Sequence, residues 1–255
     1  MKLCLSLILA AVAQSLAAGV EAKETVPQTV EIVAPDGIAI FGETYFSDLP
    51  KDAPLIMLIH QAGSDGRGEY GPLIPWLNQA GFRAIAWDFR AGGDRFGNNR
   101  AVAAMGGDGE SDYCAAYTDF PAALDHVLAQ GWAGEVVLWG SSYSASLIFR
   151  LAAERPEAVS GVIAFSPAGG GPMTDCRPRI WAEDIAAPVF VLRPVREMEI
   201  ASSQEQRDIL GDTGADFRVV ENGVHGSSML VDERTGEDMS TDREAVLMWL
   251  RSISR

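Results

Sequence analysis

The most informative stretch of this chain is VVLWGSSYSAS, from Val136 to Ser146. Its apolar start is typical of a buried strand, and a helix-forming segment follows at residues 145–153, so the residues between them must make a sharp strand-to-helix turn. Gly140 and Ser144 are small enough to flank such a turn centred on Ser142. The pattern predicts that Ser142 presents its hydroxyl in front of a helix N-terminus, whose free N–H groups favour negative charge.

The string GSSYS resembles the nucleophile elbow G-x-S-x-G of α/β-hydrolases, with Ser144 in place of the final glycine. Two other registers fit less well. A motif centred on Ser141 would place the bulky Trp139 where a small residue is needed, and one centred on Ser144 would place the nucleophile inside the helix. Ser142 is therefore the predicted nucleophile. An ordinary strand-to-helix turn can carry the same short string, so the interpretation depends on the rest of the chain.

Strand-like and helix-like segments alternate through that remainder. Short apolar or β-prone runs occur at residues 54–59, 82–87, 160–165, 188–192 and 216–220. Helical patterns occur at residues 69–80, 118–130, 202–210 and 242–252. Two β-prone segments, 29–33 and 38–46, flank a Pro-Asp-Gly turn and predict a hairpin. We therefore predict an α/β-hydrolase fold, with a mostly parallel sheet, helices on both faces and an N-terminal antiparallel hairpin.

Two irregular segments interrupt this alternation. Residues 90–116 are rich in Gly, Asp and Asn without sustained periodicity, and we predict a long loop that helps to shape the site. Residues 167–187 form a second irregular excursion, too short for a large cap domain. Small or exposed substrates are therefore expected.

The N-terminus has the pattern of a secretory signal peptide. A basic start at Lys2 precedes an apolar run and then small residues, with cleavage expected after Ala17, Gly19 or Ala22. We take residues 1–22 as the leader and residues 23–255 as one globular domain, because the chain has 255 residues of which 47% are hydrophobic. A secreted or periplasmic protein without a membrane anchor is expected.

The cysteines and the net charge indicate the compartment and the kinds of partner that this protein has. Cys114 and Cys176 remain after cleavage, and in an exported chain they are expected to pair, the alternative being two buried free thiols. The net charge of −15 argues against nucleic acid or an anionic membrane as a partner. No metal-binding spacing or nucleotide-binding loop is present: the glycines at residues 106–109 follow no strand, so we predict no cofactor.

A serine hydroxyl needs a base to take its proton, usually a histidine held by a carboxylate. The chain has three histidines. His126 falls on the polar side of a predicted helix and is interpreted as a surface residue, and His60 ends a buried strand and is interpreted as structural. His225 lies in a glycine-flanked loop after the last strand, where α/β-hydrolases carry their base, so the resemblance implies that His225 is the base.

The same resemblance implies an acid between the serine and the histidine in sequence. Family members usually carry it a few residues beyond the strand at 188–192, where Glu197 fits best. Glu199 is a close alternative and Asp175 a more distant one. The alternative is that these are ordinary surface carboxylates, with Arg193 and Arg196 as neighbouring charges.

The segment HQAGSDGRGEY, residues 60–70, resembles the oxyanion loop of dienelactone-hydrolase-like and other small serine esterases. By position, the backbone amides of Gln61 and Tyr143 are the predicted oxyanion donors. The alternative is a simple Gly-rich turn.

Together these features predict an exported serine hydrolase that cleaves small carboxylic esters through an acyl-enzyme on Ser142. Two other functions stay open. A peptidase or acyltransferase would use the same triad, and a non-catalytic binding protein could keep the same fold. Labelling of Ser142 by a fluorophosphonate separates the enzymes from the binding protein.

Overall fold

The computed structural model describes residues 26–46, 48–132 and 135–254, so the predicted leader lies outside the described residues. Within them, the strands form one eight-stranded sheet in the order β1-β2-β4-β3-β5-β6-β7-β8. The strands are β1 (Gln28–Val33), β2 (Ala39–Tyr45), β3 (Leu55–Ile59), β4 (Arg83–Asp88), β5 (Val136–Ser141), β6 (Gly161–Phe165), β7 (Val189–Pro194) and β8 (Asp216–Val220). The first two run antiparallel to their neighbours, and β3 to β8 are all parallel. The predicted fold class is confirmed.

Helices cover both faces of this sheet. They are α1 (Gly66–Tyr70), α2 (Ile74–Gln79), α3 (Arg100–Ala104), α4 (Asp119–Ala129), α5 (Tyr143–Glu154), α6 (Ala201–Asp212), α7 (Asp232–Thr235) and α8 (Ser240–Ile253). Alternate residues of the central strands enter two separate apolar cores. Leu138 of β5 joins the core that contains much of α4 and α5, and its neighbour Val137 joins the core beneath α2 and α8. The continuous apolar runs therefore reflect strands buried on both faces.

The predicted helix at 69–80 is wrong as a single element. The first helix begins at Gly66, where the Asp65 side chain accepts the Gly68 N–H at 2.7 Å as an N-cap. It ends at Tyr70 because Gly71 and Pro72 follow, and a proline inside a helix removes a backbone hydrogen bond. Helix α2 then starts afresh at Ile74.

The two irregular segments are more ordered than predicted. The stretch at 90–116 contains α3, whose first turn is capped by Asn99: its Oδ1 accepts the Val102 N–H at 2.9 Å. The excursion at 167–187 holds three short 3₁₀ turns, at Gly171–Cys176, Pro178–Ile180 and Ala182–Asp184, packed against α5. No helix among the described residues is long and apolar enough to cross a membrane.

Candidate active site

Ser142 is the single residue between β5 and α5, and its backbone is strained. Its φ is 61° and its ψ −115°, a conformation that side-chain-bearing residues rarely adopt. The turn is tight enough that a Cβ on Gly140 would lie 2.6 Å from the backbone of Ala145. Glycine is therefore required two residues before Ser142, as the motif predicts.

Ser144 has a structural role at the position where the motif usually has glycine. Its buried hydroxyl accepts the Ser141 N–H at 2.8 Å and lies 2.7 Å from the Ile59 carbonyl, to which it can donate. These contacts join the end of β5 to the end of the neighbouring β3. The substitution is accommodated because serine is small and finds partners for both its proton and its lone pair.

The loop that carries His225 is held against this turn by its next two residues. The Gly226 N–H donates to Ser166 Oγ at 3.1 Å, and the Ser227 N–H donates to Ser141 Oγ at 3.0 Å. Gly226 approaches so closely that a Cβ there would lie 2.4 Å from Ser141 Oγ. His225 consequently lies beside the strand end that presents Ser142, although the two hydrogen-bonded pairs are separated by 60 and 86 residues in sequence.

Glu197 is the carboxylate that the structure brings to His225. Its Oε1 lies 2.6 Å from His225 Nδ1, while the Glu197 side chain is 14% exposed and that of His225 50% exposed. Glu199 and Asp175, the alternatives left open by the sequence, are both exposed. The spacing beyond β7 therefore brings Glu197, rather than its neighbour, to the imidazole.

Arg193 also holds the Glu197 carboxylate. Arg193 donates from Nη1 to Glu197 Oε2 at 2.5 Å, and the same guanidinium also donates to Pro167 O and to Gln206 Oε1. Burial alone would raise the pKa of Glu197, but hydrogen bonding and charge from His225, together with Arg193 and Ser166, lower it below its usual value. Glu197 is thus held as an anion. Sequence reasoning treated Arg193 only as a neighbouring charge.

His60 is a structural histidine, as predicted. Its Nε2 lies 2.9 Å from the Phe89 N–H and must accept that proton, so Nδ1 carries the ring hydrogen and donates to Gln61 O at 2.8 Å. His60 is fully buried. His126, on α4, is half-buried against the ring of Trp132 rather than fully solvated.

The two predicted oxyanion donors differ in availability. The Tyr143 N–H opens α5, where the first N–H groups of a helix have no intrahelical partner. The Gln61 N–H, in contrast, donates to the buried carboxylate of Glu69 at 2.7 Å. The next amide, Ala62 N–H, makes no hydrogen bond within the described part of the chain and belongs to a half-exposed residue. Of these two amides, the Ala62 N–H is therefore the one available as a donor, and sequence position alone could not distinguish it from Gln61.

A disulfide joins the two irregular segments near this site. Cys114 and Cys176 are bonded across a sequence separation of 62 residues. The residue before Cys114, Tyr113, places its ring 5.4 Å from the ring of Tyr143, the residue that follows Ser142. The bridge therefore ties the long loop and the excursion into one wall beside the turn. Among the described residues, no group of three or more His, Cys, Asp or Glu is placed to hold a metal ion.

A doubly wound sheet that gathers a strained serine, a histidine and a carboxylate at its carboxyl edge defines an α/β-hydrolase. A family model described as serine aminopeptidase, S33 (Hydrolase_4), matches residues 51–241, and the chain belongs to that family. No match is found among curated proteins.

Solved structures with the same fold include several hydrolases. An esterase of Pyrococcus furiosus, Pf2001, has a TM-score of 0.68 and 17% identity, covering 90% of this chain and 92% of its own. A thermostable carboxyl esterase of Bacillus coagulans has a TM-score of 0.67 and 12% identity, covering 91% and 100%. A Klebsiella pneumoniae protein assigned as a dienelactone hydrolase has a TM-score of 0.63 and 15% identity, covering 88% and 98%. The resemblance to small α/β-hydrolases is confirmed.

Proposed function

We propose that this protein is an exported serine hydrolase that cleaves small or exposed carboxylic esters through an acyl-enzyme on Ser142. The observation that carries the proposal is the 2.6 Å contact between Glu197 Oε1 and His225 Nδ1, in a loop docked against the Ser142 turn. With Nδ1–H held by the carboxylate, Nε2 is left as the base. The leader pattern and the disulfide support export, because disulfides persist in oxidising compartments.

The chemistry follows from these roles. His225 Nε2 takes the proton of Ser142 as Oγ attacks the ester carbonyl carbon, and the carbonyl electrons move to oxygen. The oxyanion is stabilised by the N–H groups of Tyr143 and Ala62, the latter replacing the Gln61 donor expected from sequence. The C–O bond then breaks as His225 returns the proton to the leaving alcohol. Water repeats the sequence on the acyl-enzyme and releases the acid.

The shape of the site favours small or exposed substrates. The excursion at 167–187 contains only 3₁₀ turns, and the His225 side chain is half exposed. Peptidase activity is the second candidate, because the matching family model is described as a serine aminopeptidase. Both reactions use the same triad and differ only in the leaving group.

The test is a panel of p-nitrophenyl esters of increasing acyl length together with aminoacyl p-nitroanilides, assayed alongside fluorophosphonate labelling. Ester cleavage and labelling of Ser142 are expected, and Ser142→Ala and His225→Ala should each lower kcat by more than about 10³-fold. His126→Ala is the matched control and should leave kcat unchanged. Faster cleavage of the anilides would favour the peptidase, and unlabelled wild-type protein would point to a non-catalytic binding protein.

A further inference from the structure

Glu69 is a buried carboxyl group that the proposed reaction does not use. Glu69 lies near the end of α1 with no exposed surface. Its Oε2 accepts the Gln61 N–H at 2.7 Å, while Oε1 makes no hydrogen bond of normal geometry within the described residues. Burying a carboxyl group with so few partners costs free energy, so a glutamate here needs another explanation than packing.

The contact with Gln61 bears on the geometry of the oxyanion loop. The Gln61 carbonyl accepts from His60 Nδ1 at 2.8 Å and from the Ser64 N–H at 3.2 Å. In a trans peptide the carbonyl and the following N–H point in opposite directions, so these bonds turn the Ala62 N–H away from His60 and Ser64. The Glu69 carboxyl holds the preceding peptide in the same way. Both peptide planes that flank the Gln61 Cα are therefore fixed.

The backbone of Glu69 is itself anchored from the far end of the chain. Arg234, on α7, donates from Nη1 to the Glu69 carbonyl at 2.9 Å and from Nη2 to the Gly68 carbonyl at 2.6 Å. The same Nη1 lies 3.1 Å from Ser228 Oγ, three residues beyond His225. Glu69 thus connects the oxyanion loop to the segment that carries the base.

We propose that Glu69 is a positioning residue: by accepting the Gln61 N–H, it holds the oxyanion loop so that the Ala62 N–H stays directed at the reacting carbonyl oxygen. The inference rests on the serine hydrolase function proposed above. Without this acceptor, the buried Gln61 N–H has no partner, and the loop turns to find one. A displaced donor stabilises the oxyanion less, and misplacement by about 1 Å can cost about 100-fold in rate.

Two substitutions separate the hydrogen bond from the charge. Glu69→Gln keeps an acceptor oxygen at the same reach, whereas Glu69→Asp keeps the carboxylate but withdraws it by one methylene. We expect kcat for p-nitrophenyl ester hydrolysis to stay near the wild-type value in the Gln variant. In the Asp variant we expect kcat to fall by about 10- to 100-fold with KM little changed. Asp88→Asn is the matched control. This buried carboxylate accepts the Gly66 N–H of the same helix at 2.8 Å and pairs with Arg100 at 2.6 Å, so removing its charge should lower Tm without changing kcat.

A second readout does not depend on activity. Hydrogen exchange at residues 60–64 should be faster in the Asp variant than in the wild type and unchanged in the Gln variant. Equal kcat and equal exchange in the Asp variant and the wild type would overturn the inference, as would a Gln variant as slow as the Asp variant. If the wild type cleaves no substrate and is not labelled on Ser142, the proposed function fails, while the exchange experiment still decides whether Glu69 holds the loop.

Discussion

Glu197 connects His225 to the buried Arg193 through one hydrogen bond to each side chain. Glu197→Gln should lower kcat by up to about 10⁴-fold, because the amide no longer stabilises the imidazolium and can present the wrong hydrogen-bonding group to Nδ1. Glu199→Gln is the matched control two residues away and should match the wild type in kcat. Circular dichroism of both variants checks that the ion pair with Arg193 is not required for folding. Equal losses in the two variants would contradict the assignment of Glu197 as the acid.

Glu69 also gives a prediction about stability and pH. Burial raises its pKa, opposed by the nearby Ser141 hydroxyl, the Gln61 N–H, His60 and Arg234, and the net result lies above the ordinary value of 4.5. The folded state therefore binds this proton more tightly than the unfolded state, and stability is lost as the pH rises from about 4.5 through the pKa in the folded protein.

Glu69→Gln removes that titration. We expect the Tm of this variant minus the Tm of the wild type to increase between pH 4 and pH 8, as measured by thermal unfolding at a series of pH values. A difference that stays constant over this range, or decreases, would show that the carboxyl does not titrate in this way.

At the scale of single elements, glycine is required in the turn around Ser142 but is unfavourable within helix α6. Gly140→Ala should destabilise the protein by about 1–3 kcal/mol, because its Cβ would lie 2.6 Å from Ala145. Gly211 lies within α6 with open space around it, and Gly211→Ala should stabilise the protein by about 0.5–1 kcal/mol, since glycine is a poor helix former. Urea unfolding measures both changes. A stable Gly140→Ala protein would mean that the turn can relax.

The central strands could be predicted from the sequence, because continuous apolar runs such as those of β3 and β5 are typical of strands buried on both faces. Gly71 and Pro72 mark the break between α1 and α2 in the sequence, but the helical pattern over residues 69–80 favours one continuous helix. Helix α3 was missed because its five residues are too few to show a period. Local patterns therefore predict the strands and the long helices but not the shortest helices.

The site was predictable to the extent that it follows chain order. Ser142 and His225 could be selected from residue type and position after a strand. The choice between Glu197 and Glu199 could not, because both are carboxylates within reach of the end of β7. Nor could the sequence show that Glu69, eight residues after Gln61, occupies the amide predicted to stabilise the oxyanion. Contacts between side chains and backbone depend on distances that only the folded chain defines.

For the whole molecule, the disulfide is the covalent link between distant segments. Closing a loop of this length should contribute about 2–4 kcal/mol to the free energy of unfolding. We expect the double variant Cys114→Ser, Cys176→Ser to unfold at a lower Tm than the wild type. Reductant should lower the Tm of the wild type and leave that of the double variant unchanged. Identical Tm values for the two oxidised proteins would indicate that the bridge adds no stability.

The half-exposed imidazole of His225 has a kinetic consequence. A base in contact with bulk water can exchange protons with the solvent directly, without a relay of buried groups or a segment that must first swing aside. In the proposed reaction, we therefore expect turnover to be governed by the encounter with the ester and by bond breaking, and we expect an ester group displayed on a larger particle to be reached as readily as one on a free molecule.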